Sequence, residues 1–122
     1  MRNKNFFEAC TNAIKGVIYN IKTQGNIRKQ VLILIASIVL GLMFKLNTIE
    51  LILLIFSSVL IIIIEMVNTA IETTVDLFCD IYHPKAKIAK DVGAGATLVA
   101  AINYAVIFFL LFFDKIVEIY GK

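Results

Sequence analysis

The chain has 122 residues, 60% of them hydrophobic, with a formal net charge of +3 and a mean hydropathy of +0.88. Water-soluble domains carry roughly 45–50% apolar residues. A chain of this size could not hide so much more from water, so lipid is its expected solvent. The charge is modest and the basic residues are scattered, which fits topology signals or contacts with membrane-lipid headgroups and argues against nucleic acid as a partner.

Length and composition place residues 1–122 in one domain, with one proline, six glycines, no low-complexity run and no internal repeat. Residues 1–29 mix Phe6, Phe7, Ile14, Val17, Ile18 and Ile21 with Lys4, Glu8, Lys15, Lys22, Arg28 and Lys29. They hold no apolar core of the ~7–15 residues that a signal peptide needs. Ile14, Val17, Ile18 and Ile21 recur at helical spacing, as in an amphipathic helix lying at a membrane interface; a helix packed on a protein core would show the same pattern. Cys10 and Cys79 match no metal-ligand spacing and read as free thiols on the cytosolic side.

Three apolar segments follow. Val31–Phe44 and Leu51–Ile64 are short, but snorkelling Arg28 and Lys45 extend the first, and a helix-compatible stretch to about Phe78 extends the second. Val92–Phe113 is uncharged and long enough for the ~30 Å hydrocarbon core. The expected fold is therefore an all-α membrane protein, with one amphipathic interfacial helix and three transmembrane helices. Arg2, Lys4, Lys15, Lys22, Arg28, Lys29, Lys85, Lys87 and Lys90 fall on one side; Lys45, Lys115 and Lys122 fall on the other. That bias predicts a cytosolic N-terminus and a cytosolic loop between the second and third spans. The small residues of "GAGATLVAA" at the start of the third span permit close helix packing, and packing explains them sufficiently.

The second span ends in "EMVNTAIETTVD". At 100° per residue, Glu65, Asn68, Glu72 and Asp76 fall within about 80° of one another, forming a polar stripe bordered by Thr69. Met66, Val67, Ile71 and Val75 lie opposite and suit lipid or a packed neighbour. A water-facing helix end would account for Asp76, but not for Glu65, eleven residues deeper. Acids at membrane depth are costly and mark functional sites. Carboxylates with an amide suit a hard cation such as Mg2+, which shares its shell between carboxylates and nucleotide phosphates. An acid free of the metal can serve as general base. "HPKAKIAKD" follows, and its Lys85, Lys87 and Lys90 can meet phosphates; His83, before Pro84, reads as a loop or helix-start residue. The residues alone thus describe a site for a metal and an anionic partner at the membrane interface.

Together "EMVNTAIETTVD" and "HPKAKIAKDVGAGATLVAA" resemble the motifs of the prokaryotic diacylglycerol kinase family: E-x-x-N-[ST]-A-I-E-x-x-V-D, then A-K-D before small residues. The Pro84 and Ala86 version resembles the Gram-positive undecaprenol kinase branch. The resemblance covers essentially the whole chain. It implies a homotrimer in a bacterial plasma membrane, with active sites between subunits. There the γ-phosphoryl group of MgATP passes to a lipid hydroxyl, undecaprenol first and diacylglycerol as the alternative acceptor. No Walker A loop is used, and none is present. By matching position, Glu65 is implied as general base, Glu72 as metal ligand, Asn68 as the motif amide, and Lys90 with Asp91 as nucleotide contacts. Asp76 ends the first motif in a structural or nucleotide-side role.

One position departs from the pattern. The family stretch G-x7-E-x-N-[FI]-R becomes "GVIYNIKTQGNIR", with Gly16, Asn26 and Arg28 in place and Gln24 where a metal-binding glutamate stands. An amide oxygen can coordinate a cation but brings no negative charge, so weaker metal binding and slower turnover are expected. An inactivating substitution, a natural variant of altered chemistry, and compensation by another acid such as Glu8 all remain open. Two other function classes compete with the kinase. A small oligomeric transporter could use Glu65, but would need neither the cytosolic lysines nor Glu72 and Asp76. A catalytically silent relative would only bind nucleotide or lipid.

Overall fold

The computed structural model describes residues 2 and 4–121 and consists of four helices: α1 (Phe6–Thr23), α2 (Gly25–Met43), α3 (Thr48–Phe78) and α4 (Pro84–Tyr120). Lys122, one of the three basic residues assigned to the far side, lies outside the described residues. α2, α3 and α4 are long and apolar enough to cross a membrane.

Local signals set the helix ends. α1 starts at Asn5, whose side chain accepts a 2.8 Å bond from the Glu8 N–H. It stops at Gln24, which is extended (φ −110°, ψ 109°). The Arg28 guanidinium donates to the last carbonyls of α1, Ile21 at 3.0 Å and Lys22 at 2.9 Å, satisfying acceptors that a helix end leaves open. Residues 25–29, grouped by sequence with the amphipathic helix, therefore form the first turn of α2.

α2 ends in a tight reversal. Leu46 N–H bonds Gly41 O at 2.9 Å and Lys45 N–H bonds Leu42 O at 3.1 Å, the Schellman pattern. Lys45 sits at φ 56° to make it. Asn47 and Glu50 then form a reciprocal capping box that opens α3. His83 caps α4 through its Nδ1, which accepts from Lys85 N–H, and Pro84 takes the first helical position. The helix-start reading of His83 holds.

At 1.5 Å per residue, the 31 residues of α3 and 37 of α4 run about 46 and 55 Å, well beyond the ~30 Å hydrocarbon core. The joined ends of the two helices carry the polar stripe and "HPKAKIAKD". α3 is the central element: it packs on α2 and α4, and α1 lies against α2 and α3.

The interior is the reverse of a soluble core. Among the described residues, the buried side chains include Asn20, Ser37, Ser57, Ser58, Glu65, Asn68 and Thr69, against six apolar ones: Ile27, Leu46, Leu54, Ile61, Ala100 and Phe112. Large apolar residues such as Leu32, Phe56, Leu98 and Phe109 face outward, where lipid tails replace water. Leu46, Leu54 and Phe112 make the main apolar cluster, with Phe44 edge-on to Phe112 at 5.4 Å. It sits beside the pairing of Lys115 with Glu50 (3.6 Å) and Glu118 (3.4 Å), at the end of the bundle opposite the polar stripe. Deeper in, Ser37 of α2 hydrogen-bonds Tyr104 of α4.

Candidate active site

The stripe on α3 is graded by depth. Glu65 and Asn68 are each 7% exposed, Glu72 is half-buried, and the Asp76 side chain is open to solvent. Hydroxyls between them fold back on their own helix, Thr69 to Glu65 O at 3.0 Å and Thr73 to Thr69 O at 2.8 Å. Such bonding satisfies the hydroxyl donors within the helix itself.

Glu65 stands without a partner: its carboxylate makes no hydrogen bond or ion pair with any other described residue. Most of the residue is buried, but its carboxylate oxygens are not sealed off as Asn68 Oδ1 is; an unpartnered acid this deep in an apolar chain marks a candidate site. Asn68 Nδ2 donates to Glu72 Oε1 at 3.3 Å, while Asn68 Oδ1 is buried and accepts nothing. The space for this amide comes from Gly93 on α4. A β-carbon there would fall far inside van der Waals contact of Asn68 Oδ1.

Two ion pairs bridge toward the loop. Lys90 of α4 meets Asp76 of α3 at 2.5 Å, and Lys87 meets Asp91 one turn on, also at 2.5 Å. Lys90 precedes the apolar part of α4, and its hydrogen bond to the Asp76 carboxylate raises its pKa above the ordinary lysine value. Asp76, Lys90, Lys87, Asp91, His83 and Tyr82 line an open cavity of about 520 Å³ between the joined helix ends, a volume suited to a nucleotide-sized ligand. Sequence reasoning found Lys90, Asp91 and Asp76 but not Tyr82, Asp80 or Cys79 on the same wall. They belong to a short loop with no periodic pattern to read.

Gln24 lies on a different element, at the junction of α1 and α2, where its side chain caps neither helix. No hydrogen bond ties it to Glu72. Nearby chain segments contribute two further buried amide oxygens without a donor, Asn20 Oδ1 and Gln30 Oε1. Neither was singled out from sequence, where an amide inside an amphipathic pattern carries no signal of its own. Cys10 and Cys79 are free thiols, as expected.

No three His, Cys, Asp or Glu side chains converge as a metal cage among the described residues. The donors present suit Mg2+ in another way. Glu72 offers a half-buried carboxylate that the Asn68 amide steadies, while Asn68 Oδ1 itself is sealed against Gly93. Mg2+ is usually held by one or two such protein oxygens, with water and substrate phosphates completing the shell.

An apolar exterior, a buried acid beside an amide–carboxylate pair, and a Lys/Asp-lined cavity at the joined helix ends define the class. This is a small helical membrane enzyme equipped for a phosphorylated substrate. The sequence profile described as prokaryotic diacylglycerol kinase matches residues 11–112. The chain belongs to that family and is a lipid kinase, with ATP as the phosphoryl donor that such a kinase implies. It is 34% identical over 111 residues to the undecaprenol kinase of Bacillus subtilis, a match covering 91% of this chain and 90% of that one. It is 41% identical over 93 residues to a diacylglycerol kinase of Synechocystis, covering 75% of this chain and 53% of the relative. With the Escherichia coli K12 diacylglycerol kinase it shares 35% over 75 residues, 62% of each chain. The matches thus span about half of the cyanobacterial protein and under two thirds of the Escherichia coli one.

Proposed function

We propose that the 122 residues act as one integral-membrane kinase domain that transfers the γ-phosphoryl group of MgATP to the hydroxyl of undecaprenol. The single observation that carries the catalytic assignment is the buried, unpartnered Glu65. The choice of acceptor is supported by the similarity to the Bacillus subtilis undecaprenol kinase along nearly the full length of both chains.

In this reading the lipid hydroxyl lies against Glu65. Its oxygen forms the new bond to the γ-phosphorus, its proton passes to the Glu65 carboxylate, and the bond from the γ-phosphorus to the β–γ bridging oxygen breaks to release ADP. Lys90 and Asp91 hold the nucleotide, Asn68 orients Glu72, and Asp76 positions Lys90. Glu72 and Gln24 would hold Mg2+, which would supply positive charge to the phosphates. Phosphoryl transfer asks a protein mainly for positioning and electrostatic stabilisation, so this set is chemically sufficient.

The assembly is a homotrimer with sites completed between subunits, and α1 lies on the membrane surface. Two features support this. Gln24 is on α1–α2 rather than on the α3–α4 face, and Phe6, Phe7, Ile14 and Ile18 of α1 are exposed in a single chain. The lysine and arginine bias of the sequence supports a cytosolic N-terminus and a cytosolic active site in a bacterial plasma membrane.

The test is transfer of labelled phosphate from ATP in mixed micelles, with undecaprenol and diacylglycerol offered separately. Label in undecaprenol is expected. Label confined to diacylglycerol would overturn the acceptor, and none in either lane would overturn the reaction. The Gln24→Glu variant adds one negative charge at the metal and is expected to work at least about tenfold faster, in line with the strength of charge-assisted contacts. Equal rates would remove residue 24 from the metal site.

A further inference from the structure

Gly93 belongs to the small-residue run that packing alone was expected to explain, yet its surroundings differ from those of its neighbour in the run. A β-carbon built at Gly95 meets nothing within 4 Å in the chain, whereas one at Gly93 runs into Asn68 Oδ1 and approaches Asn68 Cγ at 3.3 Å. The next atom, Ile71 Cδ1, is at an ordinary 3.7 Å. The obstacle is therefore one side chain rather than the backbone of α3. The side chain concerned is the buried amide whose Nδ2 donates to Glu72 and whose Oδ1 is held free of any donor.

We propose that Gly93 is a positioning residue: it leaves room for Asn68 Oδ1 against α4 and so holds the amide in the orientation that keeps Nδ2 on Glu72. An alanine at this point of α4 would be tolerated by the helix, because alanine is the better helix former. The Asn68 side chain can move aside at little steric cost, since Oδ1 is its far end. What moves with it is the amide–carboxylate pair. A glycine kept for helix packing and a glycine kept for the amide thus predict different consequences of the same methyl group.

The experiment compares the full-length protein with Gly93→Ala in detergent micelles, and only its kinetic arm rests on the lipid-kinase reading. The side-chain NH2 resonances of Asn68, assigned by their loss in Asn68→Ala, are recorded in both proteins. They are expected to shift, while the melting temperature stays equal or rises and kcat falls about tenfold, the scale of one lost hydrogen bond to a charged group. Unmoved Asn68 resonances, or shifted resonances with unchanged kcat, overturn the inference. If Gly93→Ala does not fold, the double variant Gly93→Ala/Asn68→Ala decides. Recovered folding supports contact through Asn68, and failure to recover overturns it in favour of backbone packing. If the parent protein transfers no phosphate, the functional reading falls, and the resonances alone judge Gly93.

Discussion

Glu65 and Lys45 are the two residues placed at evident cost, and the cost has a different origin in each. Glu65 is an acid buried without a partner, which a membrane protein tolerates where the group acts. Glu65→Gln keeps the shape and removes the proton acceptor, so transfer is expected to be lost while MgATP still raises the melting temperature; retained turnover would dismiss Glu65 as base. Lys45 stores conformational strain at φ 56°, in the region where a side chain crowds the backbone. It has no place in the catalytic stripe. Lys45→Gly is expected to stabilise the protein by about 1 kcal/mol, measured as a higher melting temperature with unaltered activity. At this scale Glu65, Glu72, Lys90 and Asp91 could be picked out as candidates from the sequence, because charges inside an apolar chain stand out. Gly93, Asn20 and Gln30 were not, because an amide or a glycine announces nothing until its neighbour is known.

Among the elements, α3 carries both the polar stripe and the packing centre, with α2 on one side and α4 on the other. The Tyr104–Ser37 hydrogen bond joins the two outer helices. Ser37 also bonds Ile33 O at 2.7 Å, so it stays satisfied when Tyr104 leaves. Tyr104→Phe is therefore expected to cost only about 0.6 kcal/mol, the average worth of an interhelical hydrogen bond in a membrane. Denaturation in mixed micelles measures it; a loss several times larger would show that the bond anchors the whole bundle. Helix type and order followed from hydrophobic runs, but two boundaries did not. Gln24 ends α1 because Arg28 reaches back to its carbonyls, and Leu46 reverses the chain by bonding Gly41. Both are contacts between residues several positions apart with no periodic signature.

For the whole molecule, the single chain leaves its apolar surface open, with only 17%, 28% and 11% of the most apolar windows of α2, α3 and α4 buried. Lipid covers such surface as well as protein does, so area alone does not require an oligomer. The proposed metal site draws Gln24 and Glu72 from different elements, and the subunit count tests whether they come from different chains. Native mass measurement in detergent is expected to give three chains per particle, and a single-chain mass with full activity would place the complete site within one subunit.

Composition, period and fixed spacing along one helix were enough to read the helical class, the three long apolar helices, the family and the charged residues of the candidate site. The tertiary structure decided what spacing cannot express. It set Gly93 against Asn68, Lys90 against Asp76, and a cavity between the ends of α3 and α4. These are contacts across helices, fixed by how side chains of different elements fill the same space.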